Sequence, residues 1–322
     1  MNFHIKRLFT HKKNTLINPK NRIYIKSKDP YITNRFLNLL SSSYYKKETD
    51  LIFYYNPFNT DYLESIYMPN INLYISSLKD FNEKYTFNIE ENNCSENYIN
   101  PYIEYMKHEF LIYSLKIKDA YLNLRNSICL NLDYNKFNQF KSTFINSIFN
   151  NNHIFSNKYE TKEYYISSLG IYGLTSFSNY IYTGENKVFI MNDKYNLFSW
   201  TLIEDIIKIA EYENISYEIY KDTLSCETID HIKIPSLNVC LISNNFLNNR
   251  KIPGIQLNDY MFFKNINELI NKDQKVYLDN LLIKFKNICN VLSENYINLN
   301  NKLENTINST NFNKLINEIL NL

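Results

Sequence analysis

Residues 21–40 read NRIYIKSKDPYITNRFLNLL, and residues 50–77 read DLIFYYNPFNTDYLESIYMPNINLYISS. The chain restates this text further on. Residues 187–210 read KVFIMNDKYNLFSWTLIEDIIKIA, and residues 216–243 read SYEIYKDTLSCETIDHIKIPSLNVCLIS. Laid together, Ile25 meets Ile190, Leu37 meets Leu202, Tyr54 meets Tyr220, Leu63 meets Ile229, Ile66 meets Ile232 and Pro69 meets Pro235. Each copy has the order of a nucleotide-binding βαβ unit, with an irregular loop where phosphate would sit. Neither loop contains a glycine.

In the first copy, Arg22–Ile25 predicts a buried strand. Pro30 lies in the loop that follows, and Thr33 or Asn34 caps a helix carrying Phe36, Leu37 and Leu40. Ser41, Ser42 and Ser43 are expected to close it. Leu51–Tyr55 predicts the next strand, Asn56-Pro57 turns into a polar connector, and Ile71–Ile75 predicts a third strand. The second copy repeats the plan, with strands at Lys187–Ile190, Tyr217–Tyr220 and Leu237–Ile242 and a helix through Leu202, Ile206, Ile207 and Ala210. This order points to parallel sheets with crossover helices.

The connector carries an acidic pair in each copy, Asp61 with Glu64 and Glu227 with Asp230. Recurrence gives the pair a structural reading, as the first turn of a helix where acids favour the N-terminus. His231 stands next to Asp230, but neighbours on a helix do not face one another, so no acid–base pair is expected.

Beyond the repeats, Ile103, Met106, Phe110, Tyr113, Ile117, Ala120, Leu124 and Ile128 step by three and four and predict one long amphipathic helix. A second helix follows around Phe137–Phe149. A long helix returns from about Asp273, through Leu278, Leu281, Phe285, Ile288 and Leu292, and Ser309-Thr310-Asn311 caps a short last one. Residues 80–100 read as an exposed linker, Leu8 and Phe9 as an anchor for the N-terminal segment, and Asn150–Asn152 as the domain break. The expected domains are 1–160, with a helical extension at about 101–150, and 161–322, with closing helices at about 273–322.

Composition narrows the functional classes. The chain has 322 residues, 44% hydrophobic and 21% charged, as in a folded protein. The 29 tyrosines and 21 phenylalanines supply much of the core, whereas 4 glycines fall far below the usual share of roughly 7%. Asn, Ile, Lys, Tyr and Phe are in excess together, the bias of an AT-rich genome, which dilutes inference from any of them. A net charge of +2 with lysines interleaved among acids leaves no basic footprint, so a nucleic-acid partner is not expected. Cys94, Cys129, Cys226, Cys240 and Cys289 are odd in number with no CxxC, and the histidines form no HxxxH or HxH pair. Reduced thiols are expected and a metal site is not. The start, MNFHIKRLFTHKKN, lacks the apolar stretch of a signal peptide, and no apolar run approaches the roughly 18 residues that span a bilayer. A cytoplasmic protein with no membrane partner is expected.

A phosphate loop needs glycines that turn backbone N–H groups inward, a lysine for the phosphates and a hydroxyl for Mg²⁺. Overlaying G-x-x-x-x-G-K-[ST] on the first loop puts Ser27 and Ile32 at the glycines, Thr33 at the lysine and Asn34 at the hydroxyl. In the second loop Asn192 and Leu197 take the glycine places, Phe198 takes the lysine place, and only Ser199 keeps its type. The strand-end acid becomes Ser77 and Ser243. Lys26, Lys28 and Lys194 lie nearby as solvated lysines. No G-x-S-x-G, H-E-x-x-H or D-F-G pattern offers other chemistry.

These segments resemble a tandem P-loop ATPase family of spore-forming Firmicutes, loosely called nucleotide kinase-like. In that family each half carries a strand, a G-x-P-G-T-G-K-S-T loop and a helix. A segment of the form YHCP-x-D-P-x-x-L-(D/E)-x-(I/V)-x-I-P-E-L follows. Here that segment is Tyr54-Tyr55-Asn56-Pro57 through Leu63-Glu64-Ser65-Ile66-Tyr67-Met68-Pro69, and the second copy keeps Ile232-Lys233-Ile234-Pro235-Ser236-Leu237. The tail from Tyr277 to Leu320 is similar too, down to its Asn311-Phe312. The resemblance covers nearly the full length and implies an α/β fold of two tandem P-loop-NTPase-like units, each followed by a helical hairpin. It also implies ATP and Mg²⁺, but the departures fall on the loops that would hold them.

The expectation is therefore a pseudo-ATPase with both loops degenerate and no cofactor. It would act as a binding or scaffold protein for an unknown protein partner, with a link to sporulation implied only by the resemblance. A second reading is an ATPase or nucleotide kinase-like enzyme with a non-standard loop, built on Lys26, Lys28 or Lys194 with Ser199. A third is a nucleic-acid binder using tyrosines as stacking platforms.

Overall fold

The doubled text folds as two sheets on one plan. In the first copy, β1 (Asn2–Phe3), β2 (Asn21–Lys26), β3 (Ile52–Tyr55), β4 (Leu63–Met68), β5 (Leu73–Ser76) and β6 (Tyr85–Asn88) lie in the order β1-β3-β4-β5-β2-β6. The second sheet contains β7 (Thr161–Tyr165), β10 (Lys187–Asn192), β11 (Tyr217–Lys221), β12 (Ile229–Ile234), β13 (Val239–Asn244) and β14 (Ile255–Asn258). Its order, β14-β10-β13-β12-β11-β7, is the first order read from the other edge. Between them in sequence, β8 (Ser167–Gly170) and β9 (Gly173–Ser176) form a two-stranded sheet, with Gly173 at φ +76. This computed structural model describes residues 2–3, 19–27, 30–45, 51–56, 58–78, 85–89, 101–129, 132–149, 159–165, 167–176, 181, 187–193, 196, 198–222, 224, 228–245, 254–258, 262, 272–304 and 309–320.

Both sheets are mixed, which corrects the expectation of a mainly parallel sheet. The correction lies in the connector. Its residues form β4 and β12, each antiparallel to both neighbours. Leu63, Ile66 and Met68 are buried in β4, and Ile229, Ile232 and Ile234 in β12, so the segment inserts into the sheet rather than crossing over it. The hairpin is possible because Pro69 and Pro235 each open a 3₁₀ turn, at Pro69–Ile71 and Pro235–Leu237. Each turn ends on an asparagine in the left-handed region, Asn72 (φ 51) and Asn238 (φ 51), whose backbone N–H donates back to the proline carbonyl at 3.1 Å. A short polar side chain tolerates that conformation where a bulky one would not. The expected start of the third strand, Ile71, belongs to this turn.

Helix α1 (Pro30–Tyr45) starts earlier and ends later than its sequence signals suggest. Proline suits the first helical position, where no N–H is needed. The hydroxyls of Ser41 and Ser42 donate to the Asn38 carbonyl and that of Ser43 to the Leu39 carbonyl, so the serines ride inside the helix instead of closing it. Ile32, Phe36, Leu37, Leu40 and Tyr44 form one buried stripe on the first sheet's core.

The remaining helices are α2 (Pro101–Cys129), α3 (Tyr134–Phe149), α4 (Phe198–Tyr212), α5 (Lys272–Glu304) and α6 (Ser309–Leu320). The chain forms two compact units. One comprises residues 1–110, 168–175 and 287–322, and the other 111–167 and 176–286. The first unit's core takes in Phe312, Ile316 and Ile319 of α6, with Phe312 edge-on to Phe36 at 5.7 Å. No helix among the described residues is long and apolar enough to cross a membrane. Leu8 and Phe9, and most of the expected linker, lie outside the described residues, but β6 falls within that linker and pairs in parallel with β2.

Candidate functional site

In each sheet the strand before the loop has parallel neighbours on both sides, and the chain leaves it towards one side but later crosses to its other side, so strand order reverses there. For β10 these neighbours are β13 and β14. In open α/β sheets such a reversal opens a crevice at the carboxyl ends of the strands, the usual place for a ligand. At that end of the second sheet the described residues hold a concentration of buried polar groups. Asp193, Asn196, Ser199, Asp222 and Ser243 are fully buried, and Asp230, Asn245 and Thr228 nearly so.

The loop after β10 makes a tight turn, with the Asn196 N–H donating to the Asp193 carbonyl at 3.0 Å. Asn196 takes φ +53, the conformation a phosphate loop would give to glycine. The turn brings the Asp193 side chain over the start of α4. Its Oδ2 accepts the backbone N–H of Phe198 at 2.7 Å, the backbone N–H of Ser199 at 2.9 Å and the Ser199 hydroxyl at 2.8 Å. Backbone donors and positive helix-end charge make this an anion-binding position. The anion here is the protein's own carboxylate.

The network continues inward. Ser199 Oγ is also 2.5 Å from Asn196 Oδ1 and 3.3 Å from Ser243 Oγ. Asn196 Nδ2 donates to Asp230 Oδ1 at 2.7 Å, and Asn245 Nδ2 to the same oxygen at 3.3 Å. At the end of β11, Asp222 accepts from the Leu224 N–H at 2.7 Å and the Thr228 hydroxyl at 3.2 Å. Helix α2 contributes buried Tyr121 and Arg125, the latter with its guanidinium 4.6 Å from the Trp200 ring centre. Burial, and next the charge of Asp222, push the Asp230 carboxyl well above the usual carboxylate range, with Arg125 pulling the other way. Burial likewise holds the Tyr121 phenol well above its ordinary value.

His231 lies on the opposite face of β12 from Asp230, since successive strand residues alternate. The expected absence of an acid–base pair therefore has a strand cause rather than a helical one. His231 Nδ1 accepts the Ser243 N–H at 3.0 Å, the ring packs near Tyr220, and burial pushes its pKa down to about 3. Its Nε2 is buried with no hydrogen-bond partner among the described residues.

The positions of the motif overlay are dispersed in role. Phe198, at the lysine place of the motif overlay, is fully buried in an aromatic cluster, 5.3 Å from Phe262 and 6.3 Å from Phe137. Asn192 joins an amide ladder across three parallel strands, donating to Gln256 and Asn258 and accepting from Asn244. In the first unit, Ile32 and Thr33 are buried in α1, Ile32 in the hydrophobic core, and Ser27 is half-buried after β2. Asn34 Oδ1 accepts the Leu63 N–H at 2.7 Å, tying α1 to β4. Lys26 is exposed; Lys28, Lys194, Leu197 and Glu227 lie outside the described residues. Glu64 sits on β4, bonded by Asn56 at 2.6 Å, and Asp61 in the turn before it, so neither starts a helix.

Asp193, Asn196, Asp222, Arg125 and Tyr121 were not among the sequence-derived candidates. Asp193 carried a usable signal, as an acid five residues before the helix start. Among the described residues no group of His, Cys, Asp or Glu is arranged to hold a metal ion. No family model, curated protein or solved structure matches the chain.

Proposed function

We propose that this chain is a catalytically degenerate P-loop-like protein that acts by binding or scaffolding, without nucleotide turnover. The observation carrying this reading is Asp193 Oδ2, which takes two backbone N–H groups and one hydroxyl at the start of α4. A nucleotide phosphate would need those same donors and would meet a carboxylate already there. The loop strand with parallel neighbours on both sides, found in each sheet, supports descent from a nucleotide-binding plan. Phe198 in the lysine place and Ile32 in the core support loss of the phosphate chemistry in both copies.

The reading with a non-standard site on Ser199 draws no support, because that hydroxyl is fully buried and engaged by Asp193 and Asn196. Calorimetric titration of the full chain with a non-hydrolysable ATP analogue, with and without Mg²⁺, tests the proposal. No heat of binding is expected. Mg²⁺-dependent binding lost on Ser199→Ala would overturn it.

A further inference from the structure

We propose that the two halves of the chain, 1–160 and 161–322, bind one another by exchanging helices. The core of the first sheet accepts α6 from the second half, and α4 with the second sheet accepts α3 from the first half. The exchange is reciprocal. Helix α3 lies wholly in the unit of the second sheet, and α6 wholly in the unit of the first. Helix α2 has residues 101–110 in the first unit and 111–129 in the second, whereas α5 has 272–286 in the second and 287–304 in the first.

The first receiving surface is the stripe Ile32, Phe36, Leu37 and Leu40 on α1 with the sheet face beneath it. Its occupant is amphipathic, with Phe312, Leu315, Ile316 and Ile319 at helical spacing, and Phe312 meets Phe36 edge-on at 5.7 Å. Helix α5 adds to the hold. The Tyr62 hydroxyl donates to Asn300 Oδ1 at 2.5 Å, and the Tyr296 ring stands edge-on to Phe58 at 6.0 Å. On the second surface Phe137 is edge-on to Phe198 at 6.3 Å, and Phe144 is edge-on to Phe189 of β10 at 4.9 Å. Lys141 Nζ also meets an Asp205 carboxylate oxygen at 2.6 Å. Phe189 pairs with Leu241 as Ile23 pairs with Ile75, so both helices cover the same face of the repeated sheet.

An element traded between two copies of one plan is the arrangement of a swapped dimer, here held within a single polypeptide. Each sheet core is thus a groove for an amphipathic helix, and the helix that fills it comes from the opposite half. A half without its counterpart leaves that apolar surface bare. The exchange rests on packing alone and not on the loss of nucleotide binding, so the ATP-analogue titration and the test below fail independently.

The test uses the full chain with a site-specific protease sequence inserted between residues 150 and 158. Cut in the native state, the two pieces should elute together in size-exclusion chromatography and keep the isoleucine methyl NMR spectrum of the uncut chain. Phe312→Leu or Phe144→Leu should raise the dissociation constant of the pieces about tenfold, because each removes a buried ring from an exchanged helix. Tyr212→Leu, at a position of α4 that is 84% exposed, should leave it unchanged. In the uncut chain, Phe312→Leu should shift the methyl signals of Ile23, Ile25 and Ile66 but not those of Ile203 and Ile206, and Phe144→Leu should do the reverse. This second readout needs no cleavage and stands if a cut variant fails to hold its fold. Wild-type pieces that elute apart, a dissociation constant unmoved by both helix variants, or methyl shifts in the sheet of the variant's own half would overturn the exchange.

Discussion

Asp193 binds Ser199 twice, accepting its backbone N–H at 2.9 Å and its hydroxyl at 2.8 Å through the same carboxylate oxygen. This pairing closes the start of α4 with the protein's own carboxylate. Both residues are fully buried, so breaking the pair leaves donors that water does not reach.

Replacing Asp193 with alanine should therefore cost about 2 kcal/mol of stability. That figure combines the usual value of a helix cap with the penalty for stranded buried donors. Asp193→Asn keeps an acceptor and should cost less. Urea denaturation of the two variants gives the comparison; an unchanged midpoint for Asp193→Ala would show that the cap has no energetic role.

Much of the architecture was legible because duplication repeats an apolar pattern. The strand register corrects the alignment by one residue, however: Tyr24 pairs with Ser76 as Ile190 pairs with Ile242, so Ile25 and Ile190 face opposite sides of their sheets. The connector was not legible as a strand. Leu63–Met68 reads LESIYM, and its serine and glutamate mask the alternation that burial reveals, since Ser65 is buried by pairing with Ser76 at 2.9 Å. Serines 41–43 misled for the opposite reason, because their hydroxyls satisfy themselves on their own helix. At the site, the motif overlay reached Phe198 and Ser199 but tested only glycine, lysine and hydroxyl places, so it passed over Asp193. Tyr121 and Arg125 arrive from a distant helix, and no local pattern announces that.

Placing a lysine at the motif position should not create a phosphate site. Phe198→Lys would put an ammonium among Phe137 and Phe262 and remove an aromatic ring from a fully buried position. A loss of about 3 kcal/mol or more is expected, with no gain of ATP-analogue binding. Thermal unfolding and calorimetry on the same sample decide the matter. A stable variant that binds the analogue would overturn the degenerate reading.

His231 gives the second unit a sensitivity to acid. Burial lowers its pKa to about 3 from an ordinary value near 6.5, so folding favours the neutral ring. The associated stability is complete above the unfolded value and declines as pH falls from about 6.5 towards 3. Between pH 6.5 and 5 the loss should be about 2 kcal/mol. Asp230 acts in the opposite direction, which calls for measurement in an Asp230→Asn background. There, His231→Leu should flatten the dependence; a slope that survives the substitution assigns it elsewhere.

The two proline turns offer a matched pair of sites for separating backbone strain from side-chain bonding. Asn72 and Asn238 share φ 51 and the same backbone bond to their prolines. Alanine at either position must adopt the left-handed conformation, at a cost of about 1–2 kcal/mol. Glycine relieves that strain. Among the described residues, only Asn72 adds side-chain bonds, its Oδ1 accepting the Lys20 N–H and the Tyr67 hydroxyl, each at 3.2 Å. Asn238→Gly should thus be nearly neutral, whereas Asn72→Gly should lose about 1 kcal/mol from the broken bonds. Asn72→Ala should be the worst of the four, measured by denaturant midpoint on the full chain. Equal losses for the two glycine variants would show that the Asn72 side chain adds nothing beyond its backbone conformation.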